Sequence, residues 1–105
     1  MNGSHYVVQK YLLRPFLLEG LKFDFRIYVL LAGTDPLRVY LYDEGLVRLA
    51  TQPYHDPTPL NMMDMCMHLT NYAVNKASPH FIFNTSEKNM GVGHKRSLRV
   101  VLEQL

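Results

Sequence analysis

The chain holds little of what usually assigns a sequence at once. It has one cysteine, Cys66, which excludes an internal disulfide and fits a reducing compartment. Its charge excess is only +2 with the histidines neutral, too slight to argue for general nucleic-acid binding. Long apolar runs are missing as well. The longest, Ile27 to Gly33, falls far short of the ~20 residues of a membrane-spanning helix. The opening Met1-Asn2-Gly3-Ser4-His5 has neither the basic nor the apolar region of a signal peptide. The expectation is a soluble, cytoplasmic chain with no nucleic-acid and no membrane partner.

What is present is enough for one small domain. The 105 residues, 48% of them hydrophobic, should bury about 65% of the unfolded surface and leave no reason to expect disorder. The stretch from Leu21 to Leu31 organises the rest. Read with period two, Phe23, Phe25, Ile27, Val29 and Leu31 face one side and Lys22, Asp24, Arg26 and Tyr28 the other. Burying the apolar side sets three charges in a row, plus, minus, plus, spaced about 7 Å apart. Such a row can hold a polyanion through its cations while the carboxylate accepts from a hydroxyl or restrains its neighbours. The plainer alternative is the solvated outer face of an antiparallel sheet.

Around this strand the chain reads in order. Tyr6–Leu13 predicts a short buried strand ended by Arg14-Pro15. Gly20 can supply the positive φ of a turn. Ala32-Gly33-Thr34-Asp35-Pro36 is turn chemistry leading into an alternating strand, Leu37–Tyr42. Asp43-Glu44-Gly45 reads as a second tight turn before a third strand, Leu46–Thr51, so three antiparallel strands form a meander. Gln52–Pro59 is a proline-rich surface loop. Leu60–Met67 predicts a short helix capped by Asn61 or Asp64, its methionines serving as core filler. Ser78–His94 is loop-like, and Lys95–Leu105 recovers helical period with Leu98, Val101, Leu102 and Leu105 on one face. An unfinished helix at one end and an abrupt strand at the other suggest a piece of something larger, whose sheet face would lack its cover.

Four separated clusters carry the chemistry: Gln9-Lys10-Tyr11-Leu12, Lys22/Asp24/Arg26, Arg48, and His68-Leu69-Thr70-Asn71. With the words Arg14-Pro15-Phe16-Leu17-Leu18-Glu19-Gly20, Asp35-Pro36-Leu37-Arg38, Glu44-Gly45-Leu46-Val47-Arg48 and Met67-His68-Leu69-Thr70-Asn71-Tyr72-Ala73-Val74-Asn75-Lys76, they form an ordered series. From about Tyr6 to Leu98 that series resembles the tubulin tyrosine ligase-like family, most closely its polyglutamylase branch. The resemblance implies an α/β (α+β) fold: part of an ATP-grasp domain, an antiparallel β-meander with flanking helices.

It also implies roles. Gln9, Lys10, Tyr11 and Leu12 would form the hinge whose backbone meets adenine. Lys22 and Arg26 would contact phosphates, with Asp24 in the nucleotide pocket. His68, Leu69, Thr70 and Asn71 would hold phosphate or ribose. Arg26 is the group expected to help hold an acyl phosphate, and Arg48 is available to phosphates or carboxylate substrates. Fixed cations there would stabilise charge that develops during phosphoryl transfer. The implied reaction is ATP-dependent carboxylate–amine ligation through an acyl phosphate. Free glutamate would be the amine, and acidic C-terminal tails of tubulin or microtubules the acceptor, in the cytoplasm and cytoskeleton, including the cilium or basal body. Lys88, Lys95 and Arg96 are candidates for a basic approach surface. The family's Mg²⁺ ligands, among them a Glu-x-Asn pair, would lie past Leu105, so no metal ligand is expected within these residues. Two other readings compete: a non-catalytic nucleotide- or tubulin-binding remnant, and an unrelated all-β interaction module.

Overall fold

The computed structural model describes residues 3–83 and 91–105. Its frame is a four-stranded antiparallel sheet in the order β1-β2-β3-β4. Strand β1, Leu17–Leu18, pairs with the start of β2, Leu21–Thr34. The reversal between them uses Glu19 and Gly20 at φ of 55° and 77°. The glycine takes this conformation freely, whereas Glu19 needs help to stay there. Help comes from Arg96, whose guanidinium donates to both Glu19 carboxylate oxygens at 2.9 and 2.8 Å.

Strand β3 runs unbroken from Leu37 to Leu49, and Asp35-Pro36, joined by a cis peptide, turns the chain into it. The expected tight turn at Asp43-Glu44-Gly45 is therefore absent. Ile27 pairs with Gly45 and Val29 with Leu41, so Tyr42, Asp43 and Glu44 stand opposite Tyr28 alone. The extra residues form a bulge that bends the strand without reversing it. What decides between turn and bulge lies far away in sequence. Glu44 accepts from the backbone N–H of Gly45 and Arg99 at 2.9 and 3.2 Å and from the Ser97 hydroxyl, which anchors β3 to the end of the chain. The hydrogen bond from Gly45, then that from Arg99, lowers the Glu44 carboxyl below its usual range.

Short elements complete the molecule: α1 (Met65–His68), α2 (Tyr72–Asn75), β4 (Lys95–Ser97) and α3 (Leu98–Gln104). Helix α1 begins later than the sequence predicts. Asp64 occupies its N-cap without a side-chain bond, and Asn61 instead bonds Thr58 and Asp56 in the preceding loop. Of the four neighbouring methionines only Met67 enters the core; Met62, Met63 and Met65 are exposed. In α3, Leu98 and Val101 are buried, but Leu102 and Leu105 face outward, because the first residues of the expected helix pair with β3 as a strand.

The core is small. Val47, Leu49, Leu98 and Val101 cluster with Leu18, Leu21 and Phe23 packed around them. Thus α3 covers only the near end of the apolar face, while Phe25, Ile27, Val29 and Leu31 stay exposed. The bare sheet face foreseen from the sequence is present. The accessible surface is 8497 Å² against about 6100 Å² for a compact chain of this mass, so about half of the unfolded surface is buried instead of 65%. Tyr6–Leu13 forms no strand either, and Tyr6, Val7 and Val8 are open to solvent. β-propensity needs a neighbouring ladder, and none of the described residues supplies one. Among the described residues no helix is long and apolar enough to cross a membrane. The α+β meander is otherwise the arrangement expected of part of an ATP-grasp domain.

Gly45 offers a direct check of the bulge. A β-carbon there would lie 2.6 Å from the Arg26 carbonyl oxygen and 3.0 Å from Leu98. Gly45→Ala should cost about 2–3 kcal/mol in chemical denaturation. Gly33→Ala, where the nearest atom is 3.5 Å away, should stay within about 0.5 kcal/mol. Equal effects at the two glycines would refute the close packing.

Candidate functional site

The polar face of the sheet positions most of the residues singled out from the sequence. Asp24 and Arg48 are direct cross-strand partners, and Arg48 grips the Asp24 carboxylate with two donors, Nε to Oδ1 at 2.9 Å and Nη2 to Oδ2. The charge row on β2 is therefore not three independent groups. Its carboxylate is spent on Arg48, a partnership that the spacing along the chain does not show. Hydrogen bonding to Asp24 raises the Arg48 pKa further above its ordinary value. Such a planar, two-point clasp also fixes the orientation of the guanidinium.

Beside the clasp lies a cleft of about 210 Å³, where Arg26 and Arg48 meet Lys95 of β4 and Thr70 and Tyr72 from the loop entering α2. Among the described residues Arg26 has no ion-pair partner. Three cations on the sheet side and a hydroxyl from the loop can take a phosphate or a carboxylate. At the other end of the row, Lys22 Nζ donates to the His68 carbonyl oxygen at 3.0 Å and to Tyr11 Oη at 3.2 Å. Tyr11 and His68 also line a second, largely apolar cleft of about 350 Å³ with Leu13, Pro57 and Met62. A flat base fits such a surface. The first cleft suits a charged group and the second an apolar one.

The His68–Asn71 loop is held from below. Asn75 is fully buried, and its Oδ1 accepts from Thr51 N and Oγ1 at 3.0 and 2.8 Å. Its Nδ2 donates to the carbonyls of Leu69 and Asn71 at 2.9 and 3.0 Å. Leu69 thus serves the loop through its backbone, Thr70 is buried at the first cleft, and Asn71 caps α2 without a side-chain bond. Gln9, Lys10 and Leu12 are exposed and line neither cleft. Their proposed hinge is an extended segment without a ladder, and Tyr11 is the member whose side chain reaches the site.

Sequence reasoning missed Asn75, Tyr72 and His94, and misplaced one cation. Arg96 is no approach-surface residue: it is buried, bonded to the Gly93 carbonyl oxygen at 2.7 Å as well as to Glu19. Lys95 belongs to the cleft wall, and Lys88 lies outside the described residues. His94 closes the back of the first cleft. Its Nδ1 accepts from Ile82 N at 2.9 Å, while its own backbone N–H donates to the Ile82 carbonyl oxygen at 3.2 Å. Burial, reinforced by Arg96, pushes its imidazole below the ordinary 6.5. Hydrogen bonding to Arg96 likewise holds the Glu19 carboxyl below its ordinary 4.5. Among the described residues no three His, Cys, Asp or Glu side chains gather as a metal site.

Sequence comparison gives the class to which this meander belongs: the chain is a member of the tubulin-tyrosine ligase family, whose model matches residues 1–105. It is 63% identical over 103 residues to a probable beta-tubulin polyglutamylase of Tetrahymena thermophila, covering 98% of this chain and 9% of that protein. Tubulin polyglutamylase TTLL13 of Mus musculus is 49% identical over 96 residues, 91% of this chain and 11% of that one. Tubulin polyglutamylase TTLL7 of Homo sapiens is 46% identical over 104 residues, 99% and 11% of the two. The chain spans about a tenth of the length of these curated relatives.

Two measurements test the supports of the site. Asn75→Ala leaves the Thr51 hydroxyl and the Leu69 carbonyl oxygen without the partner they have here and should lower stability by about 2 kcal/mol in chemical denaturation; a loss under about 0.5 kcal/mol would show that the network is dispensable. Acid should act through His94. Its folded pKa is depressed, so the unfolded chain takes up the proton first; the stabilisation is complete above the ordinary 6.5 and lost as pH falls below it. The denaturation midpoint should begin to drop as pH falls below the ordinary 6.5, before Glu19 contributes its own loss below 4.5. His94→Gln should flatten the first drop, and an unchanged slope would refute the assignment.

Proposed function

We propose that this chain is part of the nucleotide- and phosphate-binding wall of an ATP-dependent ligase that joins free glutamate to glutamate side chains in acidic tubulin tails. The observation that carries the reading is the first cleft, with Arg26, Arg48 and Lys95 on one wall. In the reaction, a carboxylate oxygen of the acceptor attacks the terminal phosphorus of ATP, ADP leaves, and an acyl phosphate forms. The glutamate amine then attacks the acyl carbon, phosphate leaves with the bonding electrons, and the amine loses a proton to solvent or to the departing phosphate. Negative charge builds on phosphate oxygens in both steps, and oriented cations stabilise it. Arg26 is placed in the role of holding the acyl phosphate. Arg48, oriented by Asp24, and Lys95 receive the phosphates or the carboxylates of the incoming amino acid. Gln9–Leu12 and the Tyr11–His68 cleft receive the base, and Thr70 and Asn71 the ribose or phosphates. The work would be done in the cytoplasm on microtubules, including those of the cilium or basal body.

ATP in such enzymes acts with Mg²⁺, and among the described residues no set of carboxylates fits that ion. Asp24, the carboxylate of the cationic row, is already clasped by Arg48, so the metal ligands would have to be elsewhere in the whole protein. A second reading is a remnant that binds nucleotide or tubulin without catalysis. Incorporation of labelled glutamate into tubulin by the longest chain carrying this sequence decides between them. ATP-dependent incorporation is expected, falling at least about 100-fold in Arg26→Ala with most of the loss in kcat. Nucleotide binding without incorporation would establish the second reading.

A further inference from the structure

Tyr11, His68, Lys22 and Asn61 form one directional chain of hydrogen bonds. His68 Nε2 faces the Asn61 carbonyl oxygen at 2.9 Å. A carbonyl only accepts, so Nε2 carries the proton. In the neutral ring Nδ1 is then the acceptor, and the Tyr11 hydroxyl, 2.8 Å away, must donate to it. The phenol oxygen keeps its lone pairs for Lys22, whose ammonium donates to it at 3.2 Å and lies 4.4 Å from the centre of the Tyr11 ring. A second ammonium hydrogen goes to the His68 carbonyl oxygen at 3.0 Å. With those two donors committed, the third of an ammonium is left for an anion.

We propose that Tyr11, its hydroxyl oriented by His68, is a positioning residue that fixes the Lys22 ammonium against the phosphates of a nucleotide whose base lies in the apolar cleft of Tyr11 and His68. This rests on the nucleotide-binding reading above and deepens it. Lysine is a point charge on a flexible stem, and without such restraint it contributes less to binding at a defined place. Two residues 57 positions apart thereby couple the base end of the site to the phosphate end. A merely structural role, tethering the ladder-free segment around Tyr11, would affect base and phosphates alike. The segment has another tether in any case, the Tyr54 hydroxyl bonded to the Leu13 carbonyl oxygen at 2.7 Å.

Calorimetric binding of ATP and of adenosine to the longest chain carrying this sequence separates the two roles. Tyr11→Phe should weaken ATP about tenfold and adenosine less than twofold. In a Lys22→Met background the same change should have no further effect on ATP, because the coupled partner is gone. Nitrogen NMR of histidine-labelled protein gives an independent readout, with the His68 proton expected on Nε2. Equal weakening of ATP and adenosine by Tyr11→Phe, additive losses in the double variant, or a proton on Nδ1 would each overturn the positioning role while leaving the nucleotide reading intact. A parent chain that binds neither ligand would overturn the nucleotide reading itself, and this role with it.

Discussion

The side-chain amide of Asn75 is the constraint on which the site depends. One buried group satisfies Thr51 at the end of β3 and the carbonyls of Leu69 and Asn71 in the loop above it. Helices of four residues such as α1 and α2 have no stability of their own, since a single turn does not repay nucleation. They are held over the sheet by this amide, by buried Met67 and by the Cys66 carbonyl oxygen, which accepts from the backbone N–H groups of Thr51 and Gln52. With the loop so held, Thr70 and Tyr72 face the cations of β2, β3 and β4 across the first cleft. A hydrogen-bonded amide suits this task better than an apolar side chain, because it meets the buried Thr51 hydroxyl on one side and the Leu69 carbonyl oxygen on the other.

The legible part of the fold is the part governed by local rules. The alternation from Phe23 to Leu31 and the turn at Asp35-Pro36 follow from period and turn chemistry, and both appear where expected. The errors occur where a distant residue decides. Asp43-Glu44-Gly45 has turn composition, yet Ser97 and Arg99 hold Glu44 in a bulge. Tyr6–Leu13 has strand composition and no ladder partner. The same holds for the site. Lys22, Asp24, Arg26 and Arg48 share a face, as period two requires, but the Asp24–Arg48 clasp depends on strand register. Nothing in the run of residues around Asn75 marks it as the anchor of the loop. Arg96 looks like any surface cation until Glu19, 77 residues away, folds over it.

The division of charge across the sheet explains why the two clefts differ. Carboxylates near the cations are consumed internally: Asp24 by Arg48, Glu19 by Arg96, and Glu44 by backbone donors and Ser97. With Arg48 balanced by Asp24, the positive field of the first cleft comes from Arg26 and Lys95, which have no ion-pair partner among the described residues. Lys22 has a different environment, a phenol and a carbonyl oxygen. Neutral acceptors leave its full charge available to a ligand.

The outer half of the β2–β3 ribbon has a colloidal consequence. From Val29 to Leu31 and from Leu37 to Tyr42 its apolar and aromatic side chains are exposed in a band on both faces, and no third strand borders it among the described residues. A two-stranded ribbon of this kind presents unpaired backbone along its edges beside a sticky surface. As an isolated polypeptide it would behave as a surfactant-like molecule. Its particle size would rise with concentration, and mild detergent would reverse the assembly without unfolding the small core around Val47 and Val101.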